Sequence, residues 1–316
     1  MNHTLFIIVF TLLIACRQEQ TTEINKLIPV QDSVISIEQK KEVPSIKDFK
    51  LDTPTRVLVL PNELVEISGL SYDHDQNHLI AVNDEKGFIY YLDKQNGRII
   101  SKKKFAGKGD YEGVELCNDL VYIVRSDGDI IRYFPQTELS EKKRETILSQ
   151  VNDVEGLGYD MHGEFLVFAC KGSPAPGKST GNKSEKAFFA YDIKADTLMK
   201  SPLFKIPDDS LISFYERHFD NRDLSKAKVK KFKSRLKSFS PSGIAVHPES
   251  GKYFILSSVG KLLVVVTNEG ILEWIEFLNP DIHYQPEGLC FDKEGHLYIS
   301  NEGKNLKAKI FYYELK

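Results

Sequence analysis

Five times along this chain a glycine follows two polar residues, placed three positions and one position before it. The pairs are Glu66/Ser68, Asp110/Glu112, Asp153/Glu155, Ser240/Ser242 and Gln285/Glu287, and six of these ten side chains are carboxylates. Side chains alternate between the two faces of a strand, so each pair is expected to share one face. If the strands converge, Glu66, Asp110, Glu112, Asp153, Glu155 and Glu287 meet in one place. Like charges gathered there raise one another's pKa unless something compensates them. A hard cation held by carboxylates, carbonyls and water is an economical compensation, and an oxygen-only ligand set suits Ca²⁺. Arg125 and Lys171, near the ends of neighbouring strands, offer internal ion pairs instead; with Ser242 they are the residues expected to face a bound ligand. A catalytic cluster is the third reading. The glycine after each pair has a plainer role, allowing close strand approach or a bulge at a crowded axis.

The elements that must position these residues are repeated. Segments starting at Gly69 (GLSYDHDQNHLIAVND), Gly113 (GVELCNDLVYIVRSD), Gly156 (GLGYDMHGEFLVFACK), Gly243 (GIAVHPESGKYFILSS) and Gly288 (GLCFDKEGHLYISNE) share one pattern. Each is a glycine, alternating apolar positions, a polar turn and a second apolar run, which reads as strand, tight turn, strand. The spacings are 44, 43, 87 and 45 residues. With the 87 taken as two periods and one diverged copy near residue 200, the mean is about 44, the length of a four-stranded propeller blade. Six such units fill about 263 residues. The expectation is therefore an all-β, six-bladed β-propeller over residues 51–316. Aromatic and β-branched runs such as Gly87 to Asp93 and Gly260 to Thr267 supply further strands. Arg56 to Leu60 is expected to close the ring with the last blade, which removes exposed sheet edges.

The diverged fourth unit is expected to carry two insertions, a loop over 172–184 and a helical stretch over 207–237. In the latter, Leu224, Val229, Phe232 and Leu236 lie roughly on one face, with seven basic residues between Lys226 and Lys237. That reads as a solvated helix packed over the rim, or else a lid or a basic surface for an anionic ligand or lipid headgroup. Gly172 to Ser179 matches the P-loop pattern but is proline-rich where the phosphate-binding helix must begin. His74 and His78 sit in a turn rather than on a helix face, which makes a solvated turn the simpler reading than zinc.

Composition bounds the remainder. The chain has 316 residues, with 42 basic and 45 acidic side chains, and this balance argues against a nucleic-acid binder. Leu5 to Ala15 is an uncharged run, too short to span a bilayer and suited to the core of a secretion signal. It ends in Leu13-Ile14-Ala15-Cys16, which resembles the lipobox of bacterial lipoproteins. The resemblance implies removal of residues 1–15 and a lipid on Cys16, although the usual Lys or Arg is missing near Met1. Residues 16–50 read as a polar tether, so the domain is expected to be exported and lipid-anchored to a bacterial membrane. Cys117, Cys170 and Cys290 remain; three thiols cannot all pair, and buried free cysteines are expected.

The runs EISGLSYD from Glu66, DYEGVE from Asp110, NDVEGLGYD from Asn152, SPSGIAVHP from Ser240, QPEGLCFD from Gln285 and SNEG from Ser300 resemble the SdiA-regulated family of bacterial propeller proteins. This family is related more distantly to phytase-like and NHL or gluconolactonase-type six-bladed propellers. The resemblance covers about residues 55 to 315 and implies a six-bladed, often calcium-binding propeller in an exported or membrane-attached protein, with no particular reaction. Two functions stay open. One is a lipid-anchored binding propeller with an unknown small-molecule or protein ligand and a Ca²⁺ at the channel mouth. The other is a calcium-dependent hydrolase of phosphate esters or lactones, which needs an open metal position and a nearby base.

Overall fold

Each repeat folds as its alternation requires, into an antiparallel sheet whose first strand lies innermost. The structure is a computed structural model that describes residues 46–143, 146–179, 184–219, 222 and 224–315. The expected signal peptide, Cys16 and residues 17–45 of the tether lie outside the described residues. The first sheet runs Ile67–Asp73, His78–Asn83, Lys86–Asp93 and Ile99–Lys108, and the second Tyr111–Cys117, Leu120–Arg125, Ile130–Phe134 and Leu139–Lys143. The third comprises Val154–Asp160, Phe165–Cys170 and Glu185–Asp192, whose outer edge pairs with both Thr197–Leu198 and Phe204–Pro207. The fourth runs Pro241–Val246, Tyr253–Ser257, Leu262–Val266 and Leu272–Phe277. The fifth takes Pro286–Phe291, Leu297–Asn301 and Lys309–Tyr313 and is completed by Arg56–Val59 from the start of the domain. The first strand thus closes the ring with the last blade, with Leu58 opposite Ile310, as the sequence led us to expect.

The blade count is a correction: the propeller has five blades, not six. The innermost strands touch in one closed circuit, and the repeated glycines show why it is closed. A Cβ added at Gly69 would lie 2.6 Å from the Val114 nitrogen; at Gly113, 2.7 Å from Leu157 Cβ; at Gly156, 3.0 Å from Gly243 Cα. At Gly243 it would lie 2.4 Å from the Glu287 carbonyl oxygen, and at Gly288, 2.7 Å from the Ser68 carbonyl oxygen, which returns to the first blade. Five core clusters, one between each neighbouring pair of blades, repeat this order. The 87-residue interval therefore holds one blade and its insertions. Among the described residues there is no strand between Phe204–Pro207 and Pro241–Val246; that stretch contains helices α1 (Asp208–His218) and α2 (Lys226–Lys237), so the helical insertion follows the third blade. The loop around residues 172–184 joins the second and third strands of that same blade, and Lys178 starts no helix.

Helix α2 opens on Ser225, whose hydroxyl accepts the Lys228 N–H at 3.3 Å, an N-cap that satisfies one otherwise unpaired donor. Leu236 is buried, and Val229 and Phe232 pack on the core shared by the third and fourth blades. Arg235 donates to the carbonyl oxygens of Gly260 and Leu278, each at 2.8 Å, and to that of Lys261. Those bonds fasten the insertion beside a turn that borders the channel. At the other end of the chain Ile46, Phe49 and Leu51 pack between the fourth and fifth blades, so the buried core reaches into residues read as tether.

Candidate functional site

All five innermost strands carry a register shift at the same place, between Ile67 and Leu70, Tyr111 and Gly113, Val154 and Gly156, Pro241 and Gly243, and Pro286 and Leu289. A bulge breaks the period-two alternation and re-aims a side chain. Although every innermost strand carries the bulge, three of the five pairs keep both members in one cavity wall and only two divide. The residues directly before the glycines, Ser68, Glu112, Glu155, Ser242 and Glu287, line a cavity of about 420 Å³ at one mouth of the channel. Three positions before the glycines, Glu66 and Gln285 also line it, as does Ser240. Asp110 and Asp153 are not in its wall. Asp110 accepts a hydrogen bond from the Ser126 hydroxyl, and Asp153 lies 3.8 Å from Lys171 Nζ.

The expected basic partners divide. Lys171 lines the cavity and donates to Glu155 Oε1 at 2.6 Å. Arg125 does not line it; it pairs with Asp127 at 3.1 Å and with Asp129 at 3.8 Å. In the strand register Arg125 pairs with Tyr111 as Cys170 does with Val154, and it is Ser126, bonded through its N–H to the Asp110 carbonyl, that stands where Lys171 stands in the next blade. Ser242 Oγ donates to the Pro286 carbonyl at 2.8 Å and accepts the Ser258 N–H at 3.1 Å, so it braces two blades at the cavity wall.

Four charged wall residues escaped the sequence reading: Asp84, Lys261, Glu302 and Lys304. A signal was present, because Asp84, Lys171, Ser258 and Glu302 are the last residues of their aligned repeats. The end of each second strand returns to the same mouth from which the first strand starts.

Compensation in the cavity is uneven. Around Glu155 and Glu287 every carboxylate has a donor: Lys171 on Glu155, and the Ser258 hydroxyl on Glu287 Oε1 at 3.1 Å. Ser68 Oγ donates to Glu112 Oε2 at 3.0 Å. Burial, and then the charge of Glu155, push the Glu112 carboxyl up to about 9 and that of Glu287 up to about 8. Glu155 is also raised, by burial working against the pull of Lys171. At the first and fifth blades, among the described residues, Glu66, Asp84 and Glu302 form no ion pair. Asp84 Oδ1 is buried without a hydrogen-bond partner, and burial followed by the charge of Glu66 pushes its carboxyl up to about 6. Glu302 accepts from Gln285 Nε2 and is raised by burial against the pull of Lys304. Lys261 is lowered by burial.

These donors do not fit a calcium cage as they stand. Among the described residues no three Asp, Glu, His or Cys side chains come close enough together to hold a metal ion. Calcium takes six to eight oxygens at roughly 2.3–2.6 Å, and here Lys171 and two serine hydroxyls occupy carboxylate oxygens that a cage would need. Cys117, Cys170 and Cys290 are free and buried, as expected.

The fold and site together define a closed five-bladed propeller with a polar, mainly acidic cavity at one channel mouth. The SdiA-regulated family model matches residues 45–176 and 189–312, and the chain belongs to that family. No curated protein matches it. Among solved structures, the glutaminyl cyclase of Myxococcus xanthus is similar with a TM-score of 0.52 and 10% identity over 84% of this chain and 96% of its own. The PQQ-bound aldose sugar dehydrogenase of Streptomyces coelicolor gives a TM-score of 0.47 at 12% identity over 83% and 98%. A gluconolactonase of Xanthomonas campestris gives 0.42 at 12% identity over 78% and 72%. At such identities the first likeness is one of fold alone, and the other two carry no argument.

Proposed function

We propose that this chain is an exported binding propeller, anchored to a bacterial membrane by lipid on Cys16, whose channel-mouth cavity holds a small hydrophilic zwitterion. The observation that carries the ligand class is the unpaired carboxylate sector. Glu66, Asp84 and Glu302 face the cavity too far apart to share a metal ion, yet close enough to raise Asp84 through the charge of Glu66. A buried acceptor left unmatched costs about 1–3 kcal/mol, and an ammonium or guanidinium group supplies the missing donors. Lys261 and Lys304 in the same wall supply the complement for an anionic group on the ligand. Among the described residues no aromatic side chain lines this cavity, which favours a hydrophilic body over an apolar one.

Arginine is the first probe. It is expected to raise the melting temperature of the full chain, increasingly with the logarithm of its concentration once the site is filled, and Asp84→Asn is expected to abolish most of that rise while leaving the unliganded protein folded. A melting rise of equal size in Asp84→Asn would remove the proposed cation position. Membrane attachment rests on the apolar run from Leu5 to Ala15 followed by Cys16. Cys16→Ser is expected to move the protein from the membrane fraction to the soluble fraction or to leave the signal uncleaved; unchanged partition and unchanged mass would contradict a lipid on this residue.

A further inference from the structure

The same five strands that start at the acidic cavity end at a second one. Midway the channel is pinched by the glycines and by Leu70, Leu157, Ile244 and Leu289, leaving only about 10 Å³. Beyond the pinch, at the opposite ends of the strands, a cavity of about 270 Å³ opens. Its chemistry differs from that of the first. Tyr72, Tyr159, Met161, Pro248 and Phe291 give it apolar walls. Asp73, Asp75, Glu115 and Asp119 are charged lining residues; among the described residues His74 is the sole basic one, and no Lys or Arg lines the cavity.

Glu115 is the polar group that the apolar walls surround. Its Oε1 accepts the Ser71 hydroxyl at 2.7 Å, and Ser71 Oγ in turn accepts the Leu116 N–H at 3.2 Å, so the carboxyl is held in one orientation. Among the described residues it forms no ion pair. Burial pushes it up to about 8, a sign that the site lacks a positive charge rather than a hydrogen bond. His74 does not supply that charge: burial lowers its pKa, and its ring packs edge-on against Tyr72 at 5.1 Å. Lys94 reaches the Tyr72 hydroxyl at 3.1 Å but does not line the cavity.

We infer that this second cavity is a binding site for a small apolar ammonium ion, an aryl- or alkylamine whose nitrogen faces Glu115 and whose body packs against Tyr72, Tyr159 and Phe291. Ligand pockets commonly combine apolar walls with a few placed polar groups, and aromatic rings attract a cation beside them. Among the described residues no Lys or Arg lines the wall; Lys94 already stands over the Tyr72 ring, 5.5 Å from its centroid, so Tyr159 and Phe291 are the rings left for the ligand's cation. The pinch makes the site independent of the zwitterion cavity.

The test is calorimetric titration of the full chain in detergent with 2-phenylethylammonium, with 2-phenylethanol as its neutral counterpart. Saturable binding of the amine is expected, with the alcohol at least ~10-fold weaker. Glu115→Gln, which preserves the acceptor for Ser71, and Met161→Lys, which sets a cation at the exposed rim, are each expected to weaken the amine at least ~10-fold. Asp84→Asn, in the other cavity, is expected to bind it as the wild type does. The inference is overturned if the amine shows no saturable binding, if the alcohol binds equally well, if both Glu115→Gln and Met161→Lys bind as the wild type does, or if Asp84→Asn alone abolishes binding.

Discussion

Gly243→Ala is expected to destabilise the protein by about 3 kcal/mol, a fall in melting temperature of roughly 6–10 °C for a domain of this size. The added Cβ would stand 2.4 Å from the carbonyl oxygen of Glu287 on the next blade, and that atom is main chain and cannot swing aside. Relief requires the fourth and fifth blades to separate at the axis. In a closed ring that separation has to be shared among all five contacts, so the cost is not confined to one loop. Gly107→Ala is the control: a Cβ there meets nothing within 4 Å, and its effect should stay within about 0.5 kcal/mol. Equal effects from the two substitutions, read by thermal or urea unfolding, would show that glycine at the axis is a matter of backbone freedom and not of blade contact.

The second large effect is on pH dependence. Glu112 and Glu287 are held at about 9 and about 8 in the folded protein, chiefly by burial and then by the charge of Glu155. An unfolded chain releases those protons near pH 4.3. Between those values the folded state binds more protons than the unfolded state, so stability is full below about pH 4 and falls as pH rises through 8 to 9. Glu112→Gln removes one of these protons from the balance while leaving an oxygen for the Ser68 hydroxyl. The stability of the variant relative to the wild type is expected to rise steadily between pH 5 and pH 9. A constant difference across that range would mean that Glu112 is ionised in the folded protein throughout.

Much of this architecture could be read from the residues. The glycine-led repeats located every innermost and second strand, and Arg56 to Leu60 was recognisable as the closing strand because its apolar pattern stands ahead of the first complete blade. The blade count went astray at one step. An interval of 87 residues is as consistent with one blade plus insertions as with two blades, and only contact between Gly156 and Gly243 distinguishes them. The basic, helix-favouring run from Lys226 to Lys237 was visible, yet it was assigned to a blade that does not exist.

The site was legible in part for a related reason. Period-two alternation puts Asp110 beside Glu112 and Asp153 beside Glu155, but only the glutamates line the cavity. Asp110 is taken by the Ser126 hydroxyl and Asp153 leans toward Lys171, partners from the ends of the second strands that no alternation within one strand reveals. Asp84 and Glu302 were overlooked because they end the second strands, and their approach to the cavity depends on the turn that folds each repeat back on itself. Lys171 is legible as a possible partner, while Arg125, which precedes the matching position in the second blade, is claimed by Asp127 and Asp129 within its own hairpin.

The central claim, that the acidic cavity binds an organic cation through carboxylates that have no ion pair, is tested most directly by calorimetric titration of the full chain with arginine at pH 6. Two buffers of different protonation enthalpy make the proton balance measurable. Asp84, at about 6, is close to half protonated there. A guanidinium group placed against it should therefore expel about half a proton for each arginine bound, Asp84→Asn should abolish that release, and Ca²⁺ in place of arginine should give neither heat nor a melting shift relative to EDTA. Binding without proton release, or a calcium-dependent stabilisation reversed by EDTA, would contradict the account and return the acids to the role of metal ligands.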